Sequence, residues 1–526
     1  MSHRRKITGA AFVMAIATFI SRIAGLVRDV VVARVFGAGF VSDAFFMAFT
    51  IPNLLRRFFG EGALTAAFVP VYAEISSTKG EEEAQKLACR SVTLLCLVML
   101  VVVAVGLLLS PWIVRGIGFG FGDVSGKLEL TTSLTRVMFP YVGLVSILAL
   151  ITGILNVRGH FFFPSLSPLL LNAGMIFGAL LLGEFFNHPV YGLAAGVLLG
   201  GVAQLLLQYP VLLRYRIRLR PDFCFAGDAA LKRIARLMLP GVAGVAIYQI
   251  NVIVTRLLAS FLPQGSVSYL YYGQRLFEFP QGILIVSLAQ AVLPMMSRHA
   301  AEGDDAAFKD SLHFAFSLMV VFTLPAIMGL VICARPVYSL FFMGGEFDLT
   351  ALNATSLTLI YYAPGLLFVG LSRVAAQTFY AMKDTRTPVL ISFWTLIVNA
   401  GLGYLLMGPL QYLGLALALS LASAFNALLL IVLLRRRVGP FIKQSLLRPL
   451  WGVLPATVGM IFVATPIVNL CDWYIPGEIL QKSLALFFAV TGGGVVFFVL
   501  CLLFKVEEVS RAWQLLRRRR GAASGA

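Results

Sequence analysis

Residues 21–75 read SRIAGLVRDVVVARVFGAGFVSDAFFMAFTIPNLLRRFFGEGALTAAFVPVYAEI. Two apolar runs, each long enough to cross a bilayer, flank a Gly-rich turn, and both carry arginines: Arg22 and Arg28 in the first, Arg56 and Arg57 in the second. An arginine at membrane depth costs at least ~2.5–3.5 kcal/mol, so such residues usually face a water-filled cavity and mark a ligand path. The rest of the chain sets this reading in place. It has 526 residues, 59% hydrophobic and only 13% charged, with a formal net charge of +18. That composition predicts an all-α polytopic membrane protein. In a soluble protein the positive charge would suggest nucleic acid; in a membrane protein it reflects Lys and Arg collected in cytoplasmic loops, and no nucleic-acid partner is expected.

Taking ~20 apolar residues per span, the chain divides into about 14 transmembrane helices. They are expected over 7–35, 41–75, 91–114, 135–157, 163–183, 189–213, 233–260, 267–296, 311–333, 352–380, 387–407, 412–434, 449–470 and 481–504. The loops alternate in chemistry. Most loop Lys and Arg lie at the N-terminus, in 78–90, 214–236, 298–309, 383–386 and 435–448, and in the RRRR run at 517–520. The intervening loops 36–40, 115–130, 184–188, 261–266, 335–349, 408–411 and 471–480 are Gly-, Pro- and aromatic-rich. The basic set belongs in the cytoplasm, and an even helix count then places both termini there. MSHRRK followed by an apolar run reads as a first helix with a cytoplasmic anchor, because no small-residue cleavage site closes the run.

The hairpin SDAFFMAFTIPNLLRRFFGEGALTAAFVP is echoed by SVSYLYYGQRLFEFPQGILIVSLAQAVLP at 266–294. Each has a Ser-led start, an aromatic run, an Arg with a Glu after it, a Gly and a terminal Pro. Transporters are often built from two such related bundles with the substrate between them. Two six-helix lobes around a central cavity plus two C-terminal helices account for the count. The expected divisions are 1–225, 226–440, 441–510 and a basic tail at 511–526.

Arg22 and Asp29 lie on nearly one face of the first helix, with Arg28 about 120° away. Arg57 and Glu61 are spaced i, i+4 and can pair, which leaves Arg56 for the cavity. Arg275 and Glu278 are i, i+3 neighbours in YYGQRLFEFPQG. Arg34, Arg256 and Arg373 lie nearer helix ends, where snorkelling accounts for them. A guanidinium fork donates bidentately to phosphate and stays charged when dehydrated, so several such arginines suit a phosphate-bearing substrate and repel a cationic drug.

Other chemistry has little support. No Walker A motif is present, the five histidines show no metal-ligand spacing, and the six cysteines are scattered. A membrane glycan polymerase would need acidic residues on a sizeable periplasmic loop. Loops 115–130 and 335–349, with Asp123, Glu129, Glu346 and Asp348, are too small for that.

Residues 21–74, YYGQRLFEFPQGI at 271–283 and KDTRTP at 383–388 resemble the MurJ (MviN) family of lipid II flippases, part of the multidrug/oligosaccharidyl-lipid/polysaccharide exporter superfamily. The resemblance spans essentially the whole chain. It implies a bacterial inner-membrane transporter, not an enzyme, whose lobes form a V-shaped cavity and whose last two helices shape a lipid-tail groove. By alternating access it would move undecaprenyl-pyrophosphate-linked peptidoglycan precursor to the periplasmic leaflet. Family cavity arginines match Arg22, Arg28, Arg56 and Arg275, and carboxylates match Asp29, Asp43, Glu61 and Glu278. Asn53 and Asn172 match polar positions. The pyrophosphate falls to the four arginines, and the carboxylates with Arg57 to support and gating. Lipid II, membrane lipids and other cell-wall synthesis proteins are the implied partners. No resident cofactor is expected; membrane potential or a monovalent ion would supply the drive. Some members bind sodium through an aspartate on the seventh helix, and 233–260 contains none. The alternative function is export of another lipid-linked glycan or of a drug.

Overall fold

A computed structural model describes residues 3–59, 63–441 and 447–510. Every expected span is a helix or a helix pair, and no sheet occurs among the described residues beyond one isolated bridge at Gly344 and Phe347. The chain forms two compact units, Met1–Ser268 and Tyr269–Ala526.

In the first unit, α1 (His3–Phe36) is followed by α2 (Phe40–Phe59), α3 (Ala63–Thr78), α4 (Glu81–Ile117), α5 (Lys127–Met138), α6 (Tyr141–Val157), α7 (Phe162–Phe177), α8 (Val190–Arg214) and α9 (Ala229–Ser260). The span expected over 41–75 is therefore two helices, α2 and α3, and the span over 135–157 extends back through α5. Phe68 and Tyr72 of α3, Leu87 of α4, Ile154 of α6 and Leu212 of α8 share a buried apolar cluster with Ile234 of α9. Through that contact α9 packs within the first compact unit.

The tightest packing joins α7 to α8. A Cβ placed on Gly196 would stand 2.3 Å from the Gly174 carbonyl oxygen, and one on Gly178 would stand 2.3 Å from that of Gly192. Small residues let transmembrane backbones approach where no hydrophobic drive separates lipid from protein. Gly196→Val is expected to force the two backbones apart and to cost about 3 kcal/mol through overpacking. Thermal unfolding in detergent measures this, and an unchanged midpoint would contradict it.

In the second unit, α10 (Ser266–Pro280), which starts at the junction, passes through a π-turn at Gln281–Ile285 into α11 (Val286–Glu302). Then come α12 (Asp305–Val337), α13 (Leu349–Tyr362), α14 (Gly365–Ala381), α15 (Arg386–Val438), α16 (Leu447–Val468) and α17 (Ile479–Leu503). The two spans expected over 387–407 and 412–434 are one nominal helix broken at Gln411 (φ 51°, ψ −132°), just after Pro409. The last two helices share a core with α12, in which Val321 meets Val453, Ala456, Phe497 and Cys501.

Ten helical stretches among the described residues are long and apolar enough to cross a membrane. Counting α15 as two, α1, α2–α3 and α9 complete the expected set. Their outer faces stay apolar: Leu108 and Phe462 are each 75% exposed, which water would penalise and lipid would not. Ion pairs concentrate in the basic loops. Arg158 pairs with Glu81, Arg233 with Glu74 and Arg437 with Asp384. The Thr387 amide and hydroxyl, with Arg437, hold the Asp384 carboxyl below its usual range, and the same carboxylate caps the start of α15.

Candidate functional site

The predicted polar residues fall into four local constellations. The first lies where α1 crosses α7. Arg28 is only 6% exposed, and its Nη2 donates to the adjacent Asp29 Oδ1 at 2.6 Å. Its Nη1 donates to Asn172 Oδ1 at 3.1 Å, and Asn172 Nδ2 reaches the Ser21 carbonyl at 3.3 Å. Arg28, Asp29 and Asn172 thus form one buried network that pins α1 to α7. Its charge is neutralised locally, which is what a low-dielectric setting demands. A phosphate could take this guanidinium only by displacing Asp29. Arg22, one and a half turns earlier, is exposed and stands apart from the network.

The second constellation is on α2. Arg56 Nε donates to Asn53 Oδ1 at 3.1 Å, so an amide three residues back helps to orient the guanidinium. Arg57 is half-buried beside it. Glu61, and with it the expected Arg57–Glu61 pair, lies outside the described residues.

The third is on α10, one turn before the π-turn. Arg275 Nη1 donates to Glu278 Oε2 at 3.2 Å, with the two side chains 35% and 34% exposed. Gln274 Nε2 approaches the other Glu278 oxygen at 3.5 Å. The i, i+3 spacing delivers this contact directly from the helix geometry. Pro280 cannot donate to the helical ladder, and the π-turn that follows it absorbs the break. Sequence placed Arg56 and Arg275 as equivalents. Both sit near the end of an arginine-bearing helix that gives way, a few residues on, to a second helix, α3 or α11.

The fourth constellation centres on Asp43, which sequence grouped with the arginines. It pairs instead with a lysine. Asp43 is 1% exposed and its Oδ2 accepts from Lys127 Nζ at 2.9 Å and from the Gly265 amide at 2.8 Å. Its Oδ1 accepts from the Ser268 amide at 2.9 Å and hydroxyl at 2.7 Å. One carboxylate therefore caps the start of α10, where helix N–H groups lack partners, and neutralises a buried ammonium from α5. The Lys127 ammonium also stands 4.2 Å from the Phe121 ring centre. Lys127 and Ser268 escape a sequence reading because their partner is more than eighty residues away. The only trace is a lysine in an otherwise aromatic and Gly-rich loop.

The remaining arginines divide. Arg34 is exposed near the end of α1, in keeping with snorkelling, whereas Arg373, also exposed, lies in the middle of α14 and not near a helix end. Arg256 is not exposed: its Nη1 donates to the Val267 carbonyl at 2.9 Å, tying α9 to the first turn of α10. No cluster of His, Cys, Asp or Glu suited to a metal occurs among the described residues.

Three comparisons bear on this arrangement. Residues 32–470 match the family model described as Lipid II flippase MurJ. A Burkholderia cenocepacia protein described as lipid II flippase MurJ is 33% identical over 460 residues, covering 87% of this chain and 88% of its own. A Vibrio cholerae protein described as a probable lipid II flippase MurJ is 36% identical over 433 residues, covering 81% and 82%. Among solved structures, an inward closed conformation of lipid II flippase MurJ superposes with a TM-score of 0.77 at 27% identity, covering 94% of this chain and 99% of that one. An inward-facing multidrug transporter of the MATE family superposes at 0.67 with 15% identity, covering 83% and 99%, a likeness of fold alone.

Proposed function

The chain belongs to the MurJ family of lipid II flippases, and from that premise we propose that its half-exposed arginines hold the substrate pyrophosphate during translocation. The observation that carries this is the state of Arg56 and Arg275. Each is set in an expected membrane span and is partly exposed, with Asn53 beside one and Glu278 beside the other. A pyrophosphate offers such groups bidentate, charge-assisted hydrogen bonds that strengthen as water is excluded. Arg22 adds a third accessible cation. Arg28 joins only if Asp29 and Asn172 release it, which makes that network a switch between conformations.

Lipid II moves from the cytoplasmic to the periplasmic leaflet by alternating access in this reading. The basic loops and both termini face the cytoplasm, as the distribution of Lys and Arg supports. Membrane potential drives the cycle at ~2.3 kcal/mol per charge per 100 mV, or a monovalent ion does so. Asp43 holds Lys127 and the start of α10 together. A cationic drug would meet the same arginines as repulsion, so the drug-export alternative is disfavoured. The test is rescue of cells depleted of their own lipid II flippase, with leaflet-resolved lipid II measured alongside. Restored growth with lipid II in the outer leaflet is expected. Correctly inserted protein that leaves lipid II inside would point to a different lipid-linked glycan.

A further inference from the structure

The segment YRIRLRPDF at 215–223 leaves α8 and does something that a solvated basic loop has no need to do. Arg216 takes a left-handed backbone (φ 59°), a conformation that non-glycine residues adopt at a cost, and the chain turns out of the helix there. From that point burial alternates. Ile217 is 3% exposed and joins the apolar core with α3, α4 and α6, and Leu219 packs against the same core. Arg214, Arg216, Arg218 and Arg220 face outward and are exposed. Arg214 closes α8 and Arg216 sits in the turn after it, while Arg218 and Arg220, on the stretch beyond, stand ~7 Å apart. The result is a comb of guanidiniums.

The comb is held rigidly. The Arg218 carbonyl accepts from Gln85 Nε2 at 3.4 Å, and the Asp222 amide donates to Thr93 Oγ1 at 3.0 Å, both on α4. The charge is also left uncompensated by design of the neighbouring contacts. The segment's one carboxylate and the next along the chain are already engaged: Arg90 takes Asp222 at 3.1 Å and Asp228 at 2.9 Å, and Asp228 caps α9 as well. Glu82, which shares a cleft with Arg220, contacts Lys86 at 3.4 Å. None of the four outward guanidiniums makes an ion pair among the described residues. Exposed Tyr215 stands within the comb and exposed Phe223 just beyond it, where an apolar span emerges.

We propose that Arg214, Arg216, Arg218 and Arg220 form a docking surface for the phosphate headgroups of anionic phospholipids in the leaflet that this loop meets. Juxtamembrane arginines gain about fivefold each from an anionic surface, and the gain falls with salt. Flanking aromatics suit the headgroup level. The comb includes none of the arginines assigned to lipid II and would anchor the first unit to its leaflet through α4.

The test uses the full-length protein in detergent, titrated with phosphatidylglycerol or phosphatidylcholine at low salt, with retained lipids counted by native mass spectrometry. The wild type is expected to prefer phosphatidylglycerol. Arg216→Gln/Arg218→Gln/Arg220→Gln is expected to weaken that binding by roughly a hundredfold. Arg216→Lys/Arg218→Lys/Arg220→Lys, which keeps the charge, is expected to retain most of it and guards against a folding defect. Equal phosphatidylglycerol binding by wild type and the Gln variant would overturn the proposal. So would loss in the Lys variant equal to that in the Gln variant, or a wild type that binds lipid II at this surface but shows no preference between the two phospholipids.

Discussion

Arg56→Ala and Arg275→Ala are each expected to abolish lipid II translocation while leaving the protein folded and membrane-inserted. Both side chains are partly exposed, whereas Arg28 is buried in a network that joins α1 to α7. Truncating one partner of a desolvated charge pair costs about 2–5 kcal/mol, or a thirtyfold to several-thousandfold loss of affinity for the pyrophosphate. Arg→Lys should recover only part of it, because an ammonium keeps the charge but loses the bidentate fork. Lipid II affinity and transport at matched membrane expression provide the measurement. Arg34→Ala, at an exposed helix end, and Arg373→Ala, exposed in the middle of α14, should behave as wild type. Arg28→Ala should fail differently. It strands the buried Asp29 carboxylate, so the folded fraction itself should fall. Wild-type transport by both Arg56→Ala and Arg275→Ala would remove the arginines from the mechanism.

Asp43→Ala is expected to be the most destabilising single change outside the arginine set. It leaves the Lys127 ammonium buried without its counter-charge and frees two backbone amides and the Ser268 hydroxyl at once. Breaking a buried pair by removing one partner costs ~3–5 kcal/mol. Asp43→Ala/Lys127→Met should regain part of that loss, since the stranded cation is gone, while the unsatisfied amides remain. Thermal unfolding of the purified single and double variants in detergent separates the terms. A single variant as stable as wild type would show that the pair carries no structural weight.

The membrane fold was legible because lipid imposes a simple demand. Every span must be apolar, and its backbone must bond to itself. Even the break in α15 was visible as Gly408-Pro409 between two apolar runs. The arginines stood out for the converse reason: cations among Leu, Val and Phe are too costly to be incidental. Asn172 was placed by resemblance, and its contact with Arg28 gives that placement a physical reason. Long-range pairing was not legible. Nothing local says that Lys127 reaches Asp43, that Arg256 caps a carbonyl on the next helix, or that α9 packs with the first unit. The π-turns at Gly178–Leu182, Gln281–Ile285 and Tyr338–Phe342 also escaped. The outward arginines of 214–220 read as loop charge until the burial of Ile217 fixed their direction.

The most direct measurement is leaflet-resolved lipid II in flippase-depleted cells that express either this protein or its Arg56→Ala/Arg275→Ala double variant at equal membrane abundance. Outer-leaflet lipid II with the wild type and its accumulation in the inner leaflet with the double variant is the predicted result. Equal outer-leaflet lipid II in both would contradict pyrophosphate capture by these arginines.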